Sequence, residues 1–241
     1  MTSTHERELT SSVALCDADG RLHRDAIGWS RAPLHTCNLP ASLPRKKRWN
    51  YWAVNDDRFF FSATVADIDL VALAFAYYYD RETGDFAEKT VIAAPGSVPL
   101  APTVVGDAIL DTPAMRVALT DEGTGTRIRV DAADFRGAPL HADVVIERPA
   151  GHDTLNVVIP WSDTQFQFTS KQNTLPARGH VTIGDERHDL GDGAYACLDF
   201  GRGVWPEETL WNWGSASGMQ EGRLVGLNLG GQWTDGTGMT E

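Results

Sequence analysis

Residues 58–80 read RFFFSATVADIDLVALAFAYYYD, and whether they form strands or a helix settles the architecture of the whole chain. RFFFSATV (58–65) is aromatic and β-branched, the residue types that fit a pleated surface. LVALAFAYYY (70–79) is richer in alanine and would also suit a helix, because periodicity alone does not separate short apolar runs. The next residues favour strands. DRETGDF breaks the run with a turn at Thr83-Gly84, and the chain resumes in AEKTVIA, the pattern of a hairpin.

The same pattern recurs outward from this stretch. TRIRVDA (126–132) alternates, and ADVVIER (142–148) and TLNVVIP (154–160) lie on either side of the turn-like PAGHD. TQFQFTS (164–170) puts Phe166 and Phe168 on one face and Gln165 and Gln167 on the other, and HVTIG, AYACLDF and RLVGLNL complete the set. Strands spaced roughly ten residues apart predict an all-β chain, an antiparallel sandwich or barrel. Two short helices are expected, PEETLW near 206–211 and RELTSSVAL near 7–15. The proline-spaced stretch from Ala93 to Pro113 reads as an extended linker or surface loop. One β region over 15–241 is expected, and a subdomain boundary, if there is one, falls near 190. The chain stops in LGGQWTDGTGMTE with no closing strand, which reads as a truncated C-terminus.

Composition narrows the functional classes. At 241 residues the chain is long enough to bury a sizeable core. A net charge of −12 argues against general nucleic-acid binding, which requires surplus cations against phosphate. Cys16, Cys37 and Cys197 are far apart and odd in number, so free thiols in a reducing compartment are expected. The polar N-terminus, MTSTHERELTSS, lacks a signal peptide's apolar core, and no apolar run is long enough for a membrane helix. A cytoplasmic location is the default expectation. The residues suggest no cofactor and no metal, since the seven histidines form no ligand motif.

Several motifs have both a functional and a structural reading. GSASG (214–218) superficially matches a nucleophile elbow but has Ala216 at its centre, so it reads as a flexible loop between strands. RKKRWNYW (45–52) reads as a strand entering the sheet from a solvated start, with one of its cations free to bind an anionic head group at a cavity mouth. Asp67 and Asp69, two apart, read as structural carboxylates. FTSKQNTLPARG (168–179) reads as a solvated loop carrying the donors Lys171, Gln172 and Asn173. DFGRGVWPEETLWNWGSASG (199–218) concentrates Trp205, Trp211 and Trp213 beside Asp199, Arg202 and Asn212. Apolar rings beside a few polar groups are the make-up of a small-molecule pocket, and they are equally the filling of a β interior.

WSRAPLHTCNLP (29–40), KRWNYWAV (47–54), FFFSATVADIDLVALAFAYYYD (59–80), the 154–179 segment, DFGRGVWPEETLWNWGSASG and VGLNLGGQWTDGTGMTE (225–241) together resemble the largely bacterial family catalogued as domain of unknown function 2804. More distantly, that family is similar to the lipocalin-like group that includes carotenoid hydratases and tocopherol cyclases. The resemblance implies a lipocalin-like barrel around an apolar cavity, and it carries over no catalytic residue. The expected partner is therefore a small, largely apolar molecule. Lys171, Asn173, Arg202, Trp205, Trp211, Asn212, Trp213 and Trp233 are the candidate binding residues. A hydratase, isomerase or cyclase protonating an alkene is the alternative, with Asp199 or Asp235 as the acid. Carbohydrate binding or hydrolysis is a third reading.

Overall fold

The computed structural model describes residues 6–241, which are strand through most of their length. In chain order the strands are β1 (Val13–Ala14), β2 (Trp29–Ser30), β3 (His35–Thr36), β4 (Lys46–Asn55), β5 (Phe59–Asp67) and β6 (Ala72–Asp80). Next come β7 (Phe86–Ala93), β8 (Ala108–Asp111), β9 (Arg116–Asp121), β10 (Gly125–Phe135), β11 (Ala138–Glu147) and β12 (Leu155–Pro160). The last are β13 (Phe166–Ile183), β14 (Glu186–Asp189), β15 (Tyr195–Val204), β16 (Asn212–Gln220) and β17 (Arg223–Gly231).

One large antiparallel sheet runs β7-β6-β5-β4-β15-β13-β11-β10-β9-β8, with β12 and β14 also paired to β13 and β2 paired to β12. It curls until β5 approaches β8 and β9, giving a lipocalin-like half-barrel. Arg136 reaches Asp85 at 3.1 Å and Lys89 donates to the Asp134 carbonyl at 2.7 Å, clipping the β7 edge to the β10 end across the curl.

Residues 58–80 form the β5–β6 hairpin, in register from Phe59↔Asp80 to Asp67↔Ala72. The alanines that could have favoured a helix take alternate positions: Ala72, Ala74 and Ala76 are fully buried on one face, with Leu73 and Phe75 on the other. Small side chains there leave room for the sheet to curl over its own inner face.

The inner face of the curl is filled. Phe61, Ala63 and Val65 from β5 meet Val117 and Leu119 from β9 and Ile128 and Val130 from β10, and Phe166, Phe168 and Phe200 continue the same core. The cavity implied inside a barrel is therefore not where these strands leave space; that space lies on the sheet's opposite face.

Several expectations need correction. Residues 168–179 are not a loop. They lie within β13, an eighteen-residue strand that runs between β12 and β15 and then between β11 and β14. A register shift between Gln172 and Leu175, with Thr174 at φ 59°, bends it between the two settings. Neither 7–15 nor 206–211 is helical, and the only helical turn among the described residues is the 3-10 turn Arg24–Ala26. Six residues are too few to nucleate a helix without packing support. Gly214–Gly218 lies inside β16, and the turn comes later, at Glu221-Gly222. The stretch after Ala93 crosses the open side of the curl and buries Val98 and Leu100 before β8.

Arg202, a candidate binding residue, points into the inner core. Its guanidinium donates to the carbonyls of Trp49 and Gly201 at 2.8 Å, to Ala101 at 3.1–3.2 Å and to Asn50 Oδ1 at 2.8 Å, above the Phe200 ring. Burial pulls it down to about 9, which leaves it protonated at neutral pH. Because its acceptors are all neutral oxygens, its task is to satisfy buried backbone. Arg202→Ala should cost about 3–5 kcal/mol, from several orphaned acceptors and a cavity. A urea melt checks this, and a loss below ~1 kcal/mol would contradict it.

Candidate functional site

The central strands have one face in the core and the other partly covered, and that outer side carries the site. Period-two alternation puts Lys47, Trp49 and Tyr51 of β4 on that face, with Thr64 and Ala66 of β5 and Leu73 and Phe75 of β6 beside them. Thr169 and Lys171 of β13 and Asp199 of β15 complete the floor. The segment after β15 folds back as a cover: Trp205, Trp211, Asn212, Trp213, Trp233 and Glu241 enclose a cavity of about 520 Å³. The β16–β17 hairpin is held there by Asn173, which donates to the carbonyls of Ala216 (2.9 Å) and Leu227 (2.7 Å).

At the centre stands the Lys171 ammonium. It pairs with Asp199 Oδ2 at 2.9 Å and with Glu241 Oε1 at 3.0 Å, and it lies 4.7 Å from the centre of the Trp213 ring. All three charged groups are largely removed from water. Burial raises Glu241 above the usual glutamate range, against the pull of Lys171. Burial likewise pushes the Tyr51 phenol up. The site thus holds one cation, one carboxylate fixed by Lys171 and by the Trp49 N–H (3.1 Å), and one carboxyl that keeps its proton to higher pH than an exposed glutamate.

The aromatic walls are anchored rings. Trp205 and Trp233 stack at 5.8 Å and 5°, and Trp161 packs against both. Trp205 donates to Gln167 Oε1 (2.8 Å), Trp161 to the Trp233 carbonyl (2.8 Å) and Trp213 to Asn228 Oδ1 (2.6 Å). Two glycines explain the GRG of β15. A Cβ at Gly201 would lie 2.1 Å from the Trp49 ring, and one at Gly203 would lie 2.2 Å from the Phe166 carbonyl. Gly201 lets the Trp49 indole lie flat across β15, aiming its N–H at Asp199.

Of the candidates, Lys171, Asp199, Trp205, Trp211, Asn212, Trp213 and Trp233 all line the one cavity. Three do not. Arg202 faces the inner core, because it lies an odd number of residues from Asp199 along one strand. Asn173 is spent tethering the hairpin. Asp235 is exposed in the turn after Trp233 and is not among the lining residues. Asp67 is structural: it pairs with Arg48 at 2.9 Å and accepts from the Gly96 N–H, while Asp69 sits in the next turn at φ 74°. Lys47, Trp49 and Tyr51 fall in RKKRWNYW, whose reading allowed one unspecified cation at a cavity mouth but named none of the three as a site residue, and Glu241 was not among the candidates. The first three could have been found by applying the period of two to KKRWNYW, whereas nothing near Glu241 announces its role. No group of three or more metal-ligating side chains occurs among the described residues, and all three cysteines are free, Cys16 and Cys37 buried and Cys197 half-buried. No helix among the described residues is long and apolar enough to cross a membrane.

The chain belongs to the family named for domain of unknown function 2804, whose model matches residues 6–241. Among solved structures it is similar to an AttH candidate from Nitrosomonas europaea, at 13% identity and a TM-score of 0.53, over 78% of this chain and 61% of that one. It is also similar to kievitone hydratase from Nectria haematococca, at 11% identity and a TM-score of 0.50, over 72% of this chain and 54% of that one. The chain thus spans less than two thirds of either structure, and likeness at such identities shows the fold alone. No curated protein matches.

Lys171→Met should cost about 3–5 kcal/mol at neutral pH, because it strands two buried carboxylates. The sign of its pH dependence comes from Glu241, whose folded-state value lies above its unfolded one. Such a group stabilises the fold in acid and loses that contribution as pH rises through the folded value. Removing the ammonium raises Glu241 further, so the penalty should shrink as pH falls toward the ordinary glutamate value of 4.5. Denaturant melts of both proteins across that range check it; a penalty independent of pH would count against the ion triplet.

Proposed function

We propose that the protein binds a small, largely apolar ligand in the tryptophan-walled cavity on the outer face of the sheet. The observation that carries this is the cavity's make-up. About 520 Å³ is a volume typical of small-molecule sites, and its walls are Trp49, Trp205, Trp211, Trp213, Trp233 and Phe75 with few polar groups between them. A hydrophobic interior core alone would not require an ion triplet at its floor. Trp211, 65% exposed at the mouth, is placed to order over an entering ligand.

A second reading, alkene hydration, is supported by Glu241. Burial raises Glu241 above the usual glutamate range, and in its protonated form beside aromatic faces it can deliver that proton to an alkene carbon, the rings stabilising the cation until water adds and returns a proton to the carboxylate. The structural likeness to a hydratase agrees with this but does not carry it. The sugar reading is not favoured, because both carboxylates converge on one ammonium rather than facing each other across a groove.

Isothermal calorimetry with decanol and farnesol tests the binding reading. Saturable binding is expected, and Leu73→Trp, which fills the cavity from β6, should weaken it at least about tenfold. Absence of binding, or binding indifferent to L73W, would overturn the proposal. For the second reading, farnesol incubated with the protein should gain one water, a product lost in Glu241→Gln; unchanged farnesol would reject it.

A further inference from the structure

The cations of RKKR (45–48) differ in one respect. Arg45 pairs with Glu207 at 3.3 Å, Arg48 pairs with Asp67 at 2.9 Å, and Lys46 donates to the Pro40 and Ala41 carbonyls. Lys47 alone has no acidic or carbonyl partner among the described residues. Its ammonium instead lies 4.7 Å from the centre of the Trp205 ring, at the rim of the cavity. Burial lowers its pKa, with no neighbouring carboxylate to offset the loss of water. Lys171, the cavity's other cation, is by contrast matched twice over, by Asp199 and Glu241.

The two cations sit at opposite ends of the site. Lys47 and Tyr51 share a face of β4, and Tyr51 is in register with Asp199, which is in register with Lys171. Four residues of strand separate the ends by about 13 Å, with the Trp49 ring between them. One end presents an unmatched positive charge and the other a neutralised lysine beside two acidic groups. A charged ligand is oriented by that difference.

We propose that the ligand is an amphiphile whose anionic head group pairs with Lys47 and whose apolar body lies over Trp49 toward Tyr51 and the Lys171 triplet. This deepens the ligand-binding reading and rests on it. An anion at Lys47 supplies the only partner that the cation lacks, and the apolar body fills a space that no side chain occupies. The far end offers an anion no unmatched cation, because Lys171 is already paired with Asp199 and Glu241.

Calorimetric titrations with decanoate, decyl phosphate, decanol and decyltrimethylammonium test it, using the whole chain and its K47M and K47R variants. Decanoate or decyl phosphate should bind at least about tenfold more tightly than decanol, the fold-change of one charge-assisted contact, and the tighter of the two names the head group. That preference should fall to about unity in K47M and persist in K47R. Equal binding of anion and alcohol, a preference that survives K47M, or tighter binding of the ammonium compound would overturn the inference while leaving the cavity's ligand-binding role intact. If decanol also fails to bind, both fall.

Discussion

The site hangs on one buried ammonium. Lys171 projects from the middle of β13 to a position where water is largely excluded, and a lone charge there would be expensive. Its two partners come from elsewhere in the chain: Asp199 from the neighbouring strand, and Glu241 from the segment that returns across the sheet after β17. The pairing therefore fixes the cover to the floor. Trp213 packs over the same ammonium, and the Trp49 N–H holds the same Asp199, so charge, ring and strand are positioned by one contact set. The cavity is the space that this set cannot fill.

A second constraint explains why the cavity lies on the outside of the curl. β4, β13 and β15 have one face in the core and the other partly covered, so each must satisfy an apolar core on one side and a polar floor on the other. The inner side is closed by phenylalanines and small alanines, and even its charged member, Arg202, is consumed by backbone carbonyls. Polar side chains with spare capacity fall on the outer side. The tryptophan cluster of Trp49, Trp161, Trp205 and Trp233 forms the second, smaller core there, and its edge is the wall of the pocket.

Much of this was legible from residue type and period. The β architecture was apparent from alternation, even through LVALAFAYYY, where alanine left helix open until the turn after Asp80 argued for a hairpin. The tryptophan-rich segment pointed to five lining residues, Asp199, Trp205, Trp211, Asn212 and Trp213, because bulky rings beside Asp and Asn are rarely scattered by chance. β13 was not legible as one strand: KQNTLPARG has the composition of a loop, and only pairing on both edges makes it extended. PEETLW had a helix's opening residues but too little length. Parity would have excluded Arg202 and recovered Lys47, Trp49 and Tyr51, had it been applied along each strand. Glu241 was beyond any local rule, since its partner lies seventy residues away in sequence and is reached only through the folded cover.

We place the ligand in the outer-face pocket and not in the interior of the curl. A crystal structure of the protein grown with saturating decanol tests it most directly. Ligand density is expected against Trp49, Phe75 and Trp213, with the inner core of Phe61, Phe168 and Phe200 unchanged. Density within that inner core, or an empty outer pocket in a protein that binds the alcohol in solution, would contradict it.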